Sequence, residues 1–238
     1  MKTLYIFPHP DDESFGPAPV MYRQIQEGQE VHLLTLTRGG ATKQRFKYGY
    51  SKAEMGEVRL KEMEEVNKVL NLTSMEVLDL PDGELHKMNP LDLEGIVLDR
   101  LNKIQPDIVV TYSVHGISGH HDHLTIHPVV KRLYSALQRN NYYDFLRRLA
   151  FFTLPAPEGS ERAGGNANVR RTPRKDIDCI LHLNEEEQNI LKKSLYCYET
   201  FIDVIEETGV IEEIGDKVHF EFFEEQQDPV LPSLTAGL

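Results

Sequence analysis

Short apolar runs alternate with longer amphipathic stretches along the first two thirds of the chain. Thr3 to Phe7 (TLYIF), Val31 to Leu36 (VHLLTL), Met75 to Leu80 (MEVLDL), Asp107 to Tyr112 (DIVVTY) and Leu149 to Leu154 (LAFFTL) have the length and side chains of buried strands. Between the first two, a helix is predicted from about Pro19 to Glu27, stopped by Gly28. Ser51 to Glu54 (SKAE) spells a capping box, in which serine and glutamate each satisfy a free backbone N–H. It opens a helix to Leu70 with Met55, Val58, Met63, Val66 and Leu70 roughly on one face. Leu91 to Lys103 and Thr125 to Arg139 make two more helices. This alternation predicts an α/β fold, a Rossmann-like, mostly parallel sheet with helices on both faces.

Beyond Leu154 the pattern loosens. A polar loop (Pro155 to Asp176) leads to a strand (IDCILHL), a helix capped by Asn184 with Glu187, and a late strand from Val218 to Phe223. The tail from Glu224 is expected to be frayed. Residues 1–238 are expected to form one domain: a core over 1–154, a loop over 155–176 long enough to act as a lid, and a strand-helix-strand portion over 177–238 that completes the cleft.

Charge narrows the partners. The chain of 238 residues has 38 acidic and 26 basic side chains, a net charge of −12, which gives long-range attraction to nucleic acid or an anionic membrane the wrong sign. Two cysteines, Cys179 and Cys197, are too few for a disulfide framework or a metal knuckle. The N-terminus lacks a signal-peptide pattern, and no run approaches the ~20 apolar residues of a membrane helix. The expected setting is cytoplasmic, with a small-molecule partner; assembly into a homo-oligomer is left open.

In open parallel sheets, ligands bind outside the carboxyl ends of the strands. Here two loops stand out. PHPDDE follows the first strand, and SVHGISGHHDHLTIH (residues 113–127) follows the fourth, with five of the ten histidines of the chain. A catalytic zinc takes three ligands from His, Asp, Glu or Cys and keeps a position for water. His9 and Asp12, three apart in a proline-containing turn, can converge on one ion, with a third ligand from the second loop. Asp11 diverges from Asp12 and is better placed to act as a general base. Taken alone, the first turn could simply cap the segment that follows; paired with a histidine cluster at another strand end, it points to a metal.

PHPDDE together with GHHDH resembles the zinc-dependent sugar de-N-acetylases of the PIG-L (LmbE-like) family, with signatures [AP]HPDD[EA] and HxDH. The resemblance covers about residues 3–135. It implies Zn2+, with Fe2+ or another divalent metal as alternatives, and the ligands His9, Asp12 and His123. It implies Asp11 as general base, His120 as the protonated partner of oxyanion and leaving amine, and Asp122 as the residue orienting an imidazole. Arg59, in EVRLKE, matches a family arginine that binds sugar hydroxyls. The implied substrate is a small N-acetylated glycoside. PHPDDESFGP is most similar to bacterial members that act on N-acetylglucosaminyl malate in bacillithiol synthesis, while others act on inositol-linked or chitin-derived sugars.

Two positions depart from the family. Gly40 stands where T-x-G-E often has glutamate, and Ser118 stands where some members carry tyrosine. His121 and His127 are left unassigned by the motif, and His115 has the position of a cleft-lining or surface residue. The loop over 157–176 carries Arg162, Arg170, Arg171, Arg174 and Lys175, cations suited to an anionic aglycone. Rival functions are a metal-dependent phosphoesterase, which usually needs more bridging carboxylates, and a nucleotide-binding module, which the acids after the first strand oppose.

Overall fold

A computed structural model describes residues 1–159 and 169–238. The strands are β1 (Lys2–Phe7), β2 (Glu30–Thr35), β3 (Ser74–Val77), β4 (Ile108–Tyr112), β5 (Arg148–Thr153), β6 (Cys179–His182) and β7 (Lys217–Phe222). The helices are α1 (Ala18–Gln26), α2 (Arg45–Tyr48), α3 (Lys52–Leu70), α4 (Pro90–Ile104), α5 (Gly116–Gly119), α6 (His121–Leu137), α7 (Glu185–Tyr196), α8 (Ile202–Thr208) and α9 (Val210–Ile214). Strand order in the sheet is β3-β2-β1-β4-β5-β7-β6. The β1–β4, β4–β5 and β2–β3 pairs are parallel and β5–β7 is antiparallel, so the fold is α/β with a mostly parallel, mixed sheet flanked by helices. Among the described residues no helix is long and apolar enough to cross a membrane.

The chain divides into two compact units. The first comprises Met1–Tyr5, Glu84–His182 and Val218–Leu238. Its β1 and β4 are neighbours in the register Thr3↔Ile108 and Tyr5↔Val110, so both strands finish at the same edge of the sheet. All five residues of β4 are buried, as expected of a parallel strand covered on both faces. Helix α6 starts earlier than the periodicity predicts, at His121 rather than Thr125. The reason is a side-chain cap: His120 Nδ1 accepts the Asp122 N–H at 3.2 Å, which satisfies a donor of the first turn and pulls the HHDH segment onto the helix.

The tail is a correction. Rather than fraying, it closes over Arg148, which is 1% exposed at the start of β5. Arg148 donates from Nε and Nη2 to the two carboxylate oxygens of Glu225 at 2.8 and 2.7 Å, and from Nη1 to the Leu234 and Ala236 carbonyls at 2.5 and 2.9 Å. A buried guanidinium must be neutralised and fully hydrogen-bonded, and the tail supplies both. Replacing Arg148 by alanine should cost about 3–5 kcal/mol, because it strands Glu225 and two carbonyls. A urea titration checks this; a loss under ~1 kcal/mol would mean the tail is held by its apolar contacts alone.

The second unit comprises Ile6–Gly83 and Leu183–Lys217. Both capping boxes read from the sequence are formed. The Glu54 N–H donates to Ser51 Oγ at 3.2 Å and the Ser51 N–H to Glu54 at 2.9 Å, with the same reciprocal pair between Asn184 and Glu187. Glu187 also receives a two-pronged bond from Arg23, at 2.6 Å on each oxygen, which fixes α7 against α1. Met55, Met63, Val66 and Leu70 of α3 are all fully buried, four of the five apolar positions the periodicity marks.

Candidate active site

In the second unit, β1 runs into a turn whose residues are nearly all buried. His9 is 9% exposed, Asp12 4%, and Glu13 and Ser14 not at all. The Asp12 carboxylate accepts the His9 N–H at 2.8 Å and lies 3.5 Å from His9 Nδ1. On the other side of the same ring, Asp82 Oδ1 stands 3.4 Å from Nε2. A buried imidazole between two carboxylates is a donor set suited to a divalent cation.

Asp11 sits apart from its neighbour because its backbone is in a left-handed conformation, φ 90°, rare for a residue with a side chain. Its carbonyl accepts the Ser14 and Phe15 N–H groups at 2.8 and 3.0 Å, which holds the strained turn. Its Oδ2 accepts from Arg59 Nη2 at 2.6 Å, and the same nitrogen donates to the Pro10 carbonyl at 2.6 Å. Burial pushes the Asp11 carboxyl above the usual carboxylate range, with the Arg59 charge opposing it. Arg59 is 2% exposed, and its guanidinium lies 3.8 Å from the Phe201 ring centre. The structure thus places Arg59 behind Asp11, bonded to the turn itself.

Glu13 braces the turn from beneath. It accepts from Ser14 Oγ at 2.6 Å and Tyr198 OH at 2.7 Å, and burial raises its pKa to about 7.

Two glycines let the loop after β2 close on this turn. A Cβ on Gly39, whose φ is +65°, would meet Arg59 Nη1 at 2.8 Å and Pro10 Cδ at 2.9 Å. A Cβ on Gly40 would meet the Lys52 carbonyl at 2.2 Å, so here the backbone approach admits no glutamate at the position where the family often has one.

Asp82 is the residue that sequence reasoning missed. It takes the Ala41 N–H on Oδ2 at 2.5 Å while its other oxygen faces His9. The rule that picked the loops after β1 and β4 applies equally to PDGE after β3, but Pro-Asp-Gly also spells an ordinary turn.

In the first unit, the loop after β4 presents His120, Asp122 and His123. His123 is 7% exposed and its ring stacks on Tyr112, centres 4.1 Å apart and planes at 11°. Its Nδ1 donates to the Gly116 carbonyl at 2.9 Å. That bond fixes the orientation of the ring, as a carbonyl partner does for metal-ligating imidazoles. Gly116 is required there: at φ +60°, a Cβ would fall 2.7 Å from His123 Cβ. Asp122 is fully buried and accepts the Leu85 N–H at 3.0 Å, tying the loop before α4 to the start of α6. His120 is exposed, with its ring centre 5.4 Å from that of His123.

The remaining histidines separate. His127 gives Nδ1–H to the Tyr112 carbonyl at 2.9 Å and packs on Phe151, an anchor for α6. His121 is exposed beside His86. His115 bonds Thr172 at 3.0 Å, and burial lowers its pKa to about 4, so it is neutral at physiological pH. Ser118 Oγ lies 3.4 Å from His123 Nδ1, a hydroxyl against the histidine rather than a phenol beyond it. Of the loop proposed as a lid, Arg162 lies outside the described residues. Arg170 N–H donates to the Ile117 carbonyl at 2.7 Å, and Arg171 and Arg174 bond the Pro155 and Ala156 carbonyls.

The sequence profile described as "PIG-L: GlcNAc-PI de-N-acetylase" matches residues 4–134, more than half of the chain, and includes both histidine–aspartate motifs. The chain belongs to the PIG-L family. Relatives within reach are distant. A "Mycothiol S-conjugate amidase" of Streptomyces coelicolor is 27% identical over 147 residues, 54% of this chain and 50% of that protein. A "Probable N-acetyl-alpha-D-glucosaminyl L-malate deacetylase 2" of Bacillus anthracis is 21% identical over 176 residues, 74% of this chain and 75% of that one. Among solved structures, the N,N'-diacetylchitobiose deacetylase of Pyrococcus horikoshii has a TM-score of 0.70 at 20% identity, covering 93% of this chain and 83% of that chain; the two share a fold. The chain spans about half the length of the first curated relatives it matches.

Proposed function

We propose that this PIG-L chain is a metal-dependent N-deacetylase that removes acetate from an N-acetylglucosaminyl substrate, N-acetylglucosaminyl malate or a similar small glycoside, in the cytoplasm. One observation carries this above the rivals. The buried His123 has its Nδ1 committed to the Gly116 carbonyl and its ring face to Tyr112, which fixes the direction of its Nε2. The motif resemblance supplies His9 and Asp12 as its partners, a three-ligand set suited to Zn2+ or alternatively Fe2+. Bound there, a divalent ion would polarise the acetyl carbonyl and lower the pKa of a water molecule towards ~7.

The side chains divide the remaining work. Asp11, held at Oδ2 by Arg59, takes the proton of the attacking water on its other oxygen. Burial makes it a stronger base than an exposed aspartate once it is ionised. His120, whose Nδ1 accepts the Asp122 N–H, offers its Nε2–H to the developing oxyanion, while the proton that Asp11 takes from the water passes on to the leaving amine. Asp122, buried and bonded to Leu85, keeps the start of α6 in place for both histidines. Arg59 acts on Asp11 rather than on a sugar hydroxyl in this scheme, because its guanidinium is buried against Phe201. Acetate release from N-acetylglucosaminyl malate, methyl N-acetylglucosaminide and N,N'-diacetylchitobiose, with phosphate release from matched esters as control, tests the reaction class. Phosphate without acetate would favour a phosphoesterase.

A further inference from the structure

Residues 31–53 contain no acidic side chain but carry Arg38, Lys43, Arg45, Lys47 and Lys52, in a protein whose net charge is −12. The same stretch displays Phe46, Tyr48 and Tyr50 at 69%, 38% and 37% exposure. The two tyrosine rings stack with centres 5.8 Å apart and planes at 14°, an arrangement the left-handed Gly49 between them permits. The Arg45 guanidinium lies 3.9 Å from the Phe46 ring centre. Exposed aromatic rings interleaved with cations are costly to leave in water and suit an anionic ligand with a carbon skeleton.

The cations are unequally committed. Arg38 is paired with Glu57 and Asp79, and Lys47 with Asp203. Lys43, Arg45 and Lys52 have no carboxylate partner among the described residues, and Arg45 Nε is a buried donor without an acceptor.

Both ends of the stretch are fastened to the catalytic turn. At its start, the Thr37 N–H donates to the Pro8 carbonyl at 3.0 Å, and the Ala41 N–H to Asp82, which faces His9. At its end, Ser51 caps α3, the helix that carries Arg59 to Asp11. Four residues lie between Ala41 and Phe46, a reach of at most ~18 Å. The rings and cations therefore belong to a short segment whose two ends are held by residues bonded to the catalytic turn.

We infer that residues 43–52 form the aglycone subsite, in which Lys43, Arg45 and Lys52 bind a carboxylate or phosphate and Phe46, Tyr48 and Tyr50 cover the carbon skeleton that bears it. The substrate class is then a glycoside of a small organic anion. An anionic bilayer could also attract rings and cations, but the net charge of −12 opposes it and the stretch is tied to the catalytic turn. The inference rests on the deacetylase function proposed above.

The test uses the metal-loaded protein and the double variants Tyr48→Ala/Tyr50→Ala and Lys43→Gln/Lys52→Gln. The ratio of kcat/KM for N-acetylglucosaminyl malate to that for methyl N-acetylglucosaminide should fall about tenfold in each, through KM, the size expected for loss of a stacked or charged contact. Calorimetric binding of glucosaminyl malate, which needs no turnover, should weaken by about the same factor. An unchanged ratio and unchanged binding would overturn the subsite while leaving deacetylation standing. Binding weakened in the variants, with a wild type that releases no acetate, would sink the deacetylase function and leave an anion site. Loss of sedimentation with phosphatidylglycerol vesicles, with the ratio unchanged, would overturn the subsite in favour of a membrane contact.

Discussion

The Asp11→Asn protein should bind its metal ion at the wild-type stoichiometry and release acetate about 10²–10⁴-fold more slowly. Asparagine is the appropriate replacement, because it tolerates the positive φ that Asp11 adopts, 90°, better than most residues. It keeps an oxygen for Arg59 Nη2 but removes the negative charge and the ability to accept a proton. It also leaves the buried Arg59 without its carboxylate, so some loss of melting temperature accompanies the loss of rate. Metal stoichiometry separates the two effects. A variant that holds metal, stays folded at the assay temperature and turns over like the wild type would remove Asp11 from the chemistry. A variant that loses metal would make Asp11 a ligand.

His123→Ala should lower metal affinity by more than ~100-fold, since even partners that only orient a ligand contribute about 10–100-fold. The reasoning is local. The His123 ring is clamped by Tyr112 on its face and by the Gly116 carbonyl on Nδ1, which fixes the direction of Nε2. Metal analysis after dialysis should find the wild type loaded and His123→Ala nearly empty. The stabilisation of the wild type against heat by added Zn2+ should vanish with it. His127→Ala is the contrasting case. Its Nδ1 is bonded to the Tyr112 carbonyl and its ring packs on Phe151, so it should lose stability while retaining metal.

How much of this could be read from the sequence depends on how local each cause is. The strands and the two capping boxes were legible because period and cap chemistry act within a few residues. The two motifs were legible because His and Asp at strand ends have few structural uses in such density. Asp82 was not, because PDGE satisfies every requirement of a turn, and only the fold shows His9 on its far side. Arg59 read as a residue for sugar hydroxyls, since nothing in EVRLKE reveals that Phe201, far along the chain, covers it. Arg148 gave no sign within RLAFFT that a tail of charged and small residues would be drawn in to neutralise it. Long-range partners of single charges escape pattern reading, and here they decide both the tail and the orientation of Asp11.

The central claim is metal-dependent N-deacetylation, and acetate release measured with and without a chelator tests it most directly. Purified protein incubated with N-acetylglucosaminyl malate, methyl N-acetylglucosaminide and N,N'-diacetylchitobiose should release acetate from at least one. The release should stop with chelator and return on adding Zn2+ or Fe2+. No acetate from any of the three under metal-replete conditions, or release that a chelator leaves untouched, would contradict the account.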